Sequence, residues 1–362
     1  MSCRLIQELF PGPIDIVGDI HGEIDALQDL LRHLGYDRGG VHPQGRRLVF
    51  IGDLTDRGPD SPAVIGLVAD LVSRGLAQCV LGNHELNLMR EARKEGNGWY
   101  FDDNQDHRKR KFLNSIPVDG KKRPRIEAFL SRLPLALERV DLRVVHAAWH
   151  AGSIADIRSS TTSALELYDF HHNRALRLGE DTGLAHRAKI EEQSIGDGMS
   201  DPDRVPPLLP GLAALDALYQ DANPVRIVTS GLERVAERVF FASGKWRMVD
   251  RFPWWYEYRD ATPVIIGHYW RWPTAAARDA YSRGEPDLFK KHAAHHWFGA
   301  RENVFCVDFA VGARYKERAD GPKTGYGCRL AAVRWPERGL VFDDGRTFKL
   351  AEGSTEVLEA IV

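Results

Sequence analysis

Three short stretches place carboxylates and imidazoles where apolar runs end. They are Asp19 and His21 in GDIHG, Asp53, Asp56 and Arg57 in GDLTDRG, and Asn83 and His84 in GNHE. Two further histidines, His146 and His268, follow the apolar runs LRVV and PVIIG. Burying an unpaired charge is costly, so these groups need partners in one another or in a bound ion. Brought to one place, Asp19, His21, Asp53, Asn83, His146 and His268 offer two carboxylates, one amide oxygen and three imidazoles. That is more than one cation with open positions takes. It suits two divalent ions roughly 3.5–4 Å apart, the arrangement of two-metal hydrolases. Two such ions leave a positive excess over the carboxylates, fit for a phosphate dianion and a water made acidic between them. Manganese is the cofactor expected in vitro, with iron or zinc also compatible with this mixed oxygen and nitrogen set. Taken singly, each stretch also reads as a helix cap or a local salt bridge. Their joint occurrence favours the metal site.

The elements that must position these residues are strands. IDIV, RLVF, AQCV, LRVV, PVII and NVFCV are short continuous apolar runs, the pattern of strands covered on both faces. In open α/β sheets, ligands bind just beyond the carboxyl ends of such strands. Between the early runs, EIDALQDLLRHLGY sets Ile24, Leu27, Leu30, Leu31 and Leu34 on one helical stripe, with Gly35 as a stop. SPAVIGLVADLVSRGL repeats the device, with Ser61 as cap and Pro62 in the first turn. The alternation implies βαβ units and a largely parallel sheet, while CRLAAVRW, PERG and LVFDD read as an antiparallel hairpin.

Two stretches break the rhythm, at 93–130 and 151–260. The first carries a basic run over 107–125, which reads as a solvated face or an attractor of polyanions. The second includes the aromatic run PWWYEY, which reads as a packed cluster before a base-stacking platform. We expect one domain over 1–362 with these two insertions shaping its mouth. The net charge of -2 gives no footprint for a stable nucleic-acid partner, and no apolar run is long enough to span a membrane. Cys3, Cys79, Cys306 and Cys328 are scattered and read as reduced thiols of a cytoplasmic protein.

The motifs GDIHG, GDLTDRG, GNHE, VHAAW, GH and NVFCVDFAVG, in this order from about Asp15 to Trp335, resemble the PPP-type, calcineurin-like metallophosphoesterases. That family includes serine/threonine phosphatases and symmetrical diadenosine tetraphosphate hydrolases. The resemblance implies an α/β fold in which a β-sandwich is flanked by helices. It implies that Asp19 and His21 hold a first metal, Asp53 bridges, and Asn83, His146 and His268 hold a second. A metal-bridging hydroxide would attack phosphorus in line. His84 would act as general acid, with Asp56 orienting it, and Arg57 would clamp phosphate oxygens beside Asn83 and His84. The substrate would be a phosphoprotein, a nucleotide or a small phosphoester. Phosphate monoester hydrolysis is the first expectation, symmetrical dinucleoside polyphosphate hydrolysis the alternative, and a binding module without catalysis the third. The family shows HGG or HAG where this chain has His146-Ala147-Ala148.

Overall fold

The first three apolar runs become strands β2 (Ile14–Val17), β3 (Arg47–Phe50) and β4 (Ala77–Cys79), paired in parallel in that order. This computed structural model describes residues 4–101, 112, 115–242, 244–282, 284–319, 321 and 325–351. Antiparallel to β2 runs β11 (Ala331–Trp335), followed by β12 (Gly339–Phe342) and β13 (Thr347–Lys349). The hairpin read around PERG therefore extends this sheet. A second sheet takes the order β1 (Ile6–Glu8), β5 (Ala136–Arg139), β6 (Leu142–Val145), β9 (Val264–Ile266) and β10 (Val304–Cys306). Alternation alone pointed to one largely parallel sheet. The strands instead divide between two mixed sheets, the sandwich that the resemblance implied.

Side chains alternate along a strand, so each sheet has two faces to cover. Ile14, Ile16, Val49 and Ile51 meet Leu137, Val144, Ile265 and Phe305 between the sheets. Val17, Leu48 and Phe50 point outward and join Leu27, Leu30, Val64 and Val68 under the helices. Helix α1 (Ile24–Leu34) buries the expected stripe except Ile24, which is partly exposed, and ends at Gly35, whose φ of 94° is left-handed. Helix α2 (Ser61–Ser73) differs by one residue from expectation. Asp60 is its cap, accepting the Ala63 N–H at 2.9 Å, and the Ser61 hydroxyl instead accepts the N–H of Asp56.

Of the first insertion, residues 107–111, 113 and 114 of the basic run lie outside the described residues. The second contains the helices Ala151–Ser159, Ala164–Asp181, Leu184–Ile195, Pro210–Asp221 and Pro224–Ser230. The hairpin of β7 (Glu233–Ala242) and β8 (Lys245–Arg251) completes it, with a small core of Met199, Leu209, Ala213, Trp246 and Met248. Trp254 and Trp255 are buried, Trp255 stacking on Phe289 at 5.5 Å, so the aromatic run is packing. Cys79, Cys306 and Cys328 are buried and unbridged, and Cys3 lies outside the described residues. Among the described residues, no helix is long and apolar enough to cross a membrane.

Candidate metal centre

The loops that follow β2 and β3 are laced together by backbone bonds: the N–H groups of Ile20 and His21 both donate to the Asp53 carbonyl, at 3.0 and 2.9 Å, and Gly58 donates to His21 at 2.8 Å. Their backbone is strained. His21, Asp53, Asp56, Arg57 and His268 have φ of 50°, 47°, 74°, 70° and 65°. Such left-handed positions cost on the order of 1–3 kcal/mol each and persist only where the surroundings over-determine them. Gly52 between them is required: with φ 94°, a β-carbon there would stand 2.6 Å from the Gly82 nitrogen.

Asp53 stands at the centre. It belongs with His21 and His84 to one group of donors, and with His146 and His268 to another, each with its atoms within 4.8 Å of one another. Its Oδ2 is 3.9 Å from His21 Nε2, and its Oδ1 is 3.3 Å from His146 Nε2. Asn83 Oδ1 approaches the same His146 Nε2 at 3.3 Å. Asp19 Oδ2 lies 4.0 Å from His21 Nε2, and both its oxygens accept the His268 N–H. His21 and His146 donate their Nδ1–H to the carbonyls of Thr55, at 3.0 Å, and Ile51, at 2.7 Å. A carbonyl only accepts, so each Nε2 keeps its lone pair facing inward, as metal-ligating imidazoles do. His268 Nε2 is buried without a partner among the described residues.

The charges fit cations as well. Burial, then Asp308 and Asp53, push the Asp19 carboxyl well above its usual range. Burial pushes Glu85 up to about 7 and Asp308 up to about 6. Asp53 goes the other way: burial opposes its charge, but His146 and His84 hold it well below the usual carboxylate range. This crowd of buried acids around Asp53 is a site to which positive ions would bring relief.

The remaining expected residues lie beside these. His84 Nδ1 donates to Asp56 Oδ2 at 2.5 Å. The guanidinium of Arg57 forks between two imidazoles, Nη1 donating to His21 Nε2 at 2.8 Å and Nη2 to His84 Nε2 at 3.0 Å. Over them opens a cleft of about 810 Å³, walled by β7, β8, the Pro210–Asp221 helix, Arg278 and residues 285–290. Arg251 on β8 lines it and donates from Nη1 to the His268 carbonyl at 3.1 Å.

Residues 12–177 match the family model described as calcineurin-like phosphoesterase. Over that stretch the chain is similar to the calcineurin-like phosphoesterases. It is 52% identical over 79 residues to the asymmetrical bis(5'-nucleosyl)-tetraphosphatase PrpE of Halalkalibacterium halodurans, covering 21% of this chain and 32% of that one. It is 49% identical over 79 residues to the protein of the same name from Bacillus subtilis, with the same coverage. The chain thus spans about a third of the length of these curated relatives. A solved cold-active protein-tyrosine phosphatase from a Shewanella species is 14% identical, covering 96% of this chain and 82% of that one, with a TM-score of 0.43.

The site also uses residues that the motifs did not single out. Glu85, fully buried, accepts the N–H groups of Asp53 and Leu54, both at 2.9 Å, that of Gly82 at 3.2 Å, and the Thr55 hydroxyl at 3.1 Å. It clamps the GDLT loop to the start of the GNHE helix, Asn83–Met89. A glutamate in the first turn of a helix signals such capping, but its long-range partners leave no trace in sequence. Trp99, from the first insertion, donates from Nε1 to Asp56 Oδ1 at 2.7 Å. Asp308, in the loop after β10, accepts the Ala310 N–H at 2.9 Å on Oδ1, and its Oδ2 is buried without a partner among the described residues.

Proposed function

We propose that this protein hydrolyses phosphate esters at two divalent cations held by Asp19, His21, Asp53, Asn83, His146 and His268. The observation that carries this reading is that Asp53 sits in two groups of buried donors at once. Cations bound there would lower the pKa of a water and neutralise phosphoryl oxygens. Manganese is the ion we favour, with iron or zinc compatible. The chain's own residues do the rest. The planar fork of Arg57, with Asn83 and His84, holds the phosphoryl oxygens once a substrate displaces the fork from the imidazoles. Asp56 keeps a His84 proton on Nδ1 and fixes the ring, so Nε2 is the atom that delivers a proton to the leaving oxygen.

Phosphate monoesters, of the kind serine/threonine phosphatases cleave, are the first substrate class. A second reading, hydrolysis of dinucleoside polyphosphates, is favoured by the size of the cleft and by the names of the relatives. Those names say asymmetrical, which sets asymmetrical cleavage beside the symmetrical kind raised from the motifs. The test is turnover of p-nitrophenyl phosphate with manganese, beside chromatography of a diadenosine tetraphosphate digest. AMP with ATP supports asymmetrical cleavage, and ADP alone the symmetrical kind. No release of phosphate or nucleotide with manganese, iron or zinc overturns the proposal.

A further inference from the structure

The cleft wall carries arginines for which the metal centre has no use. Arg226, on the Pro224–Ser230 helix, is aimed by Tyr168: its Nε donates to the Tyr168 hydroxyl at 2.8 Å, and its guanidinium carbon lies 5.3 Å from the ring centre. Tyr168 is itself buried, with its carbonyl accepting from Asn223 Nδ2 at 2.9 Å. Arg247, on β8, donates from Nε to the Ala242 carbonyl at 3.2 Å. Neither guanidinium forms an ion pair among the described residues, and both line the same cleft as Arg57 and His84.

A partly buried guanidinium without a counter-ion is poised for an anion, and its planar fork matches phosphate oxygens. Glu233 and Asp216 act on Arg247 electrostatically, but neither pairs with it within ion-pair distance among the described residues. Asp250 is paired with Arg234 at 2.8 Å, and burial pushes Glu233 up to about 7 and Asp216 upward, toward their neutral forms. The cleft's 810 Å³ is also far more than one phosphate group fills.

We propose that Arg226 and Arg247 form a second anion subsite, which takes the trailing phosphates of a linear polyphosphate chain whose scissile phosphorus lies at Arg57. The inference rests on the phosphoester-hydrolase reading and adds to it a preference for substrates with a run of phosphates. Tyr168 is a positioning residue for Arg226.

The test is inhibition of p-nitrophenyl phosphate turnover by inorganic tripolyphosphate and by orthophosphate, on the full chain with manganese in excess of added phosphate. In the wild type, tripolyphosphate should inhibit at a concentration at least tenfold lower than orthophosphate. The double variant Arg226→Gln/Arg247→Gln should lose that gap, while its KM for p-nitrophenyl phosphate and its orthophosphate inhibition move less than twofold. Tyr168→Phe, which removes one hydroxyl, should weaken tripolyphosphate about threefold and leave orthophosphate alone. Unchanged tripolyphosphate inhibition in both variants overturns the subsite. So does a parallel loss of orthophosphate inhibition, which would assign these residues to the reaction centre. A wild type that turns over no phosphoester fails the parent reading instead. Calorimetric titration of tripolyphosphate against wild type and double variant then decides the subsite alone, equal affinities refuting it.

Discussion

A histidine proposed to give a proton from one nitrogen needs its other nitrogen fixed, and the Asp56–His84 contact at 2.5 Å does this. The prediction at this scale is that His84→Asn keeps metal but slows turnover by roughly 10²–10⁴, the usual worth of general acid catalysis. The loss should shrink for substrates with good leaving groups, and an equal loss across a leaving-group series would refute the acid role. Trp99→Phe tests the same pair from behind. It removes the Nε1 bond to Asp56 and keeps the ring, so turnover should fall on the order of tenfold, the worth of a hydrogen bond to a charged group. An unchanged rate would show that Asp56 is held well enough without it. Asp56 and His84 were legible because both sit inside short local motifs. Trp99 was not, because it reaches Asp56 from 43 residues away, out of an insertion whose path the sequence does not reveal.

At the scale of elements, the strand ends deliver the donors and the turns after them set the angles. Those turns were legible wherever glycine marks them. What pattern could not show is which turn presses on which. Gly312, in the turn Val311–Ala313 beyond β10, is the clearest case. A β-carbon there would stand 2.3 Å from His21 Cδ2 and 3.0 Å from Arg57 Nη1. Gly312→Ala should therefore push the His21 ring off its position without unfolding a strand. A displacement near 1 Å at a reacting centre lowers turnover on the order of 10²-fold. Turnover and bound manganese, measured beside circular dichroism, check this: full activity in the variant would mean that the two turns do not touch as described. The capping of α2 shows a gentler limit. Asp60 and Ser61 are both good caps, and only the structure shows that the Ser61 hydroxyl is engaged by Asp56.

Across the whole molecule, two sheets close on each other through Ile16, Val49, Val144 and Ile265, which brings β6 and β9 of one beside β2 and β3 of the other. The composition of the strands could not separate one parallel sheet from two, because a run such as VII reads alike when buried under a helix or under another sheet. Bringing the strand ends together also collects Asp19, Asp53, Glu85 and Asp308 in one buried place, and their mutual repulsion acts on the stability of the entire fold. Cations that bind only the folded chain stabilise it by mass action, about 2.7 kcal/mol at a hundredfold excess over Kd. Stripping metal with a chelator should lower the melting temperature by about 2 °C or more, and manganese should restore it. Asp53→Asn removes the carboxylate that both donor groups share, so this variant should lose both ions together and its melting temperature should no longer respond to manganese. Elemental analysis and thermal melts of the two proteins, with and without chelator, decide the matter. A variant that keeps one full equivalent of metal would show that the two groups do not depend on Asp53 in common.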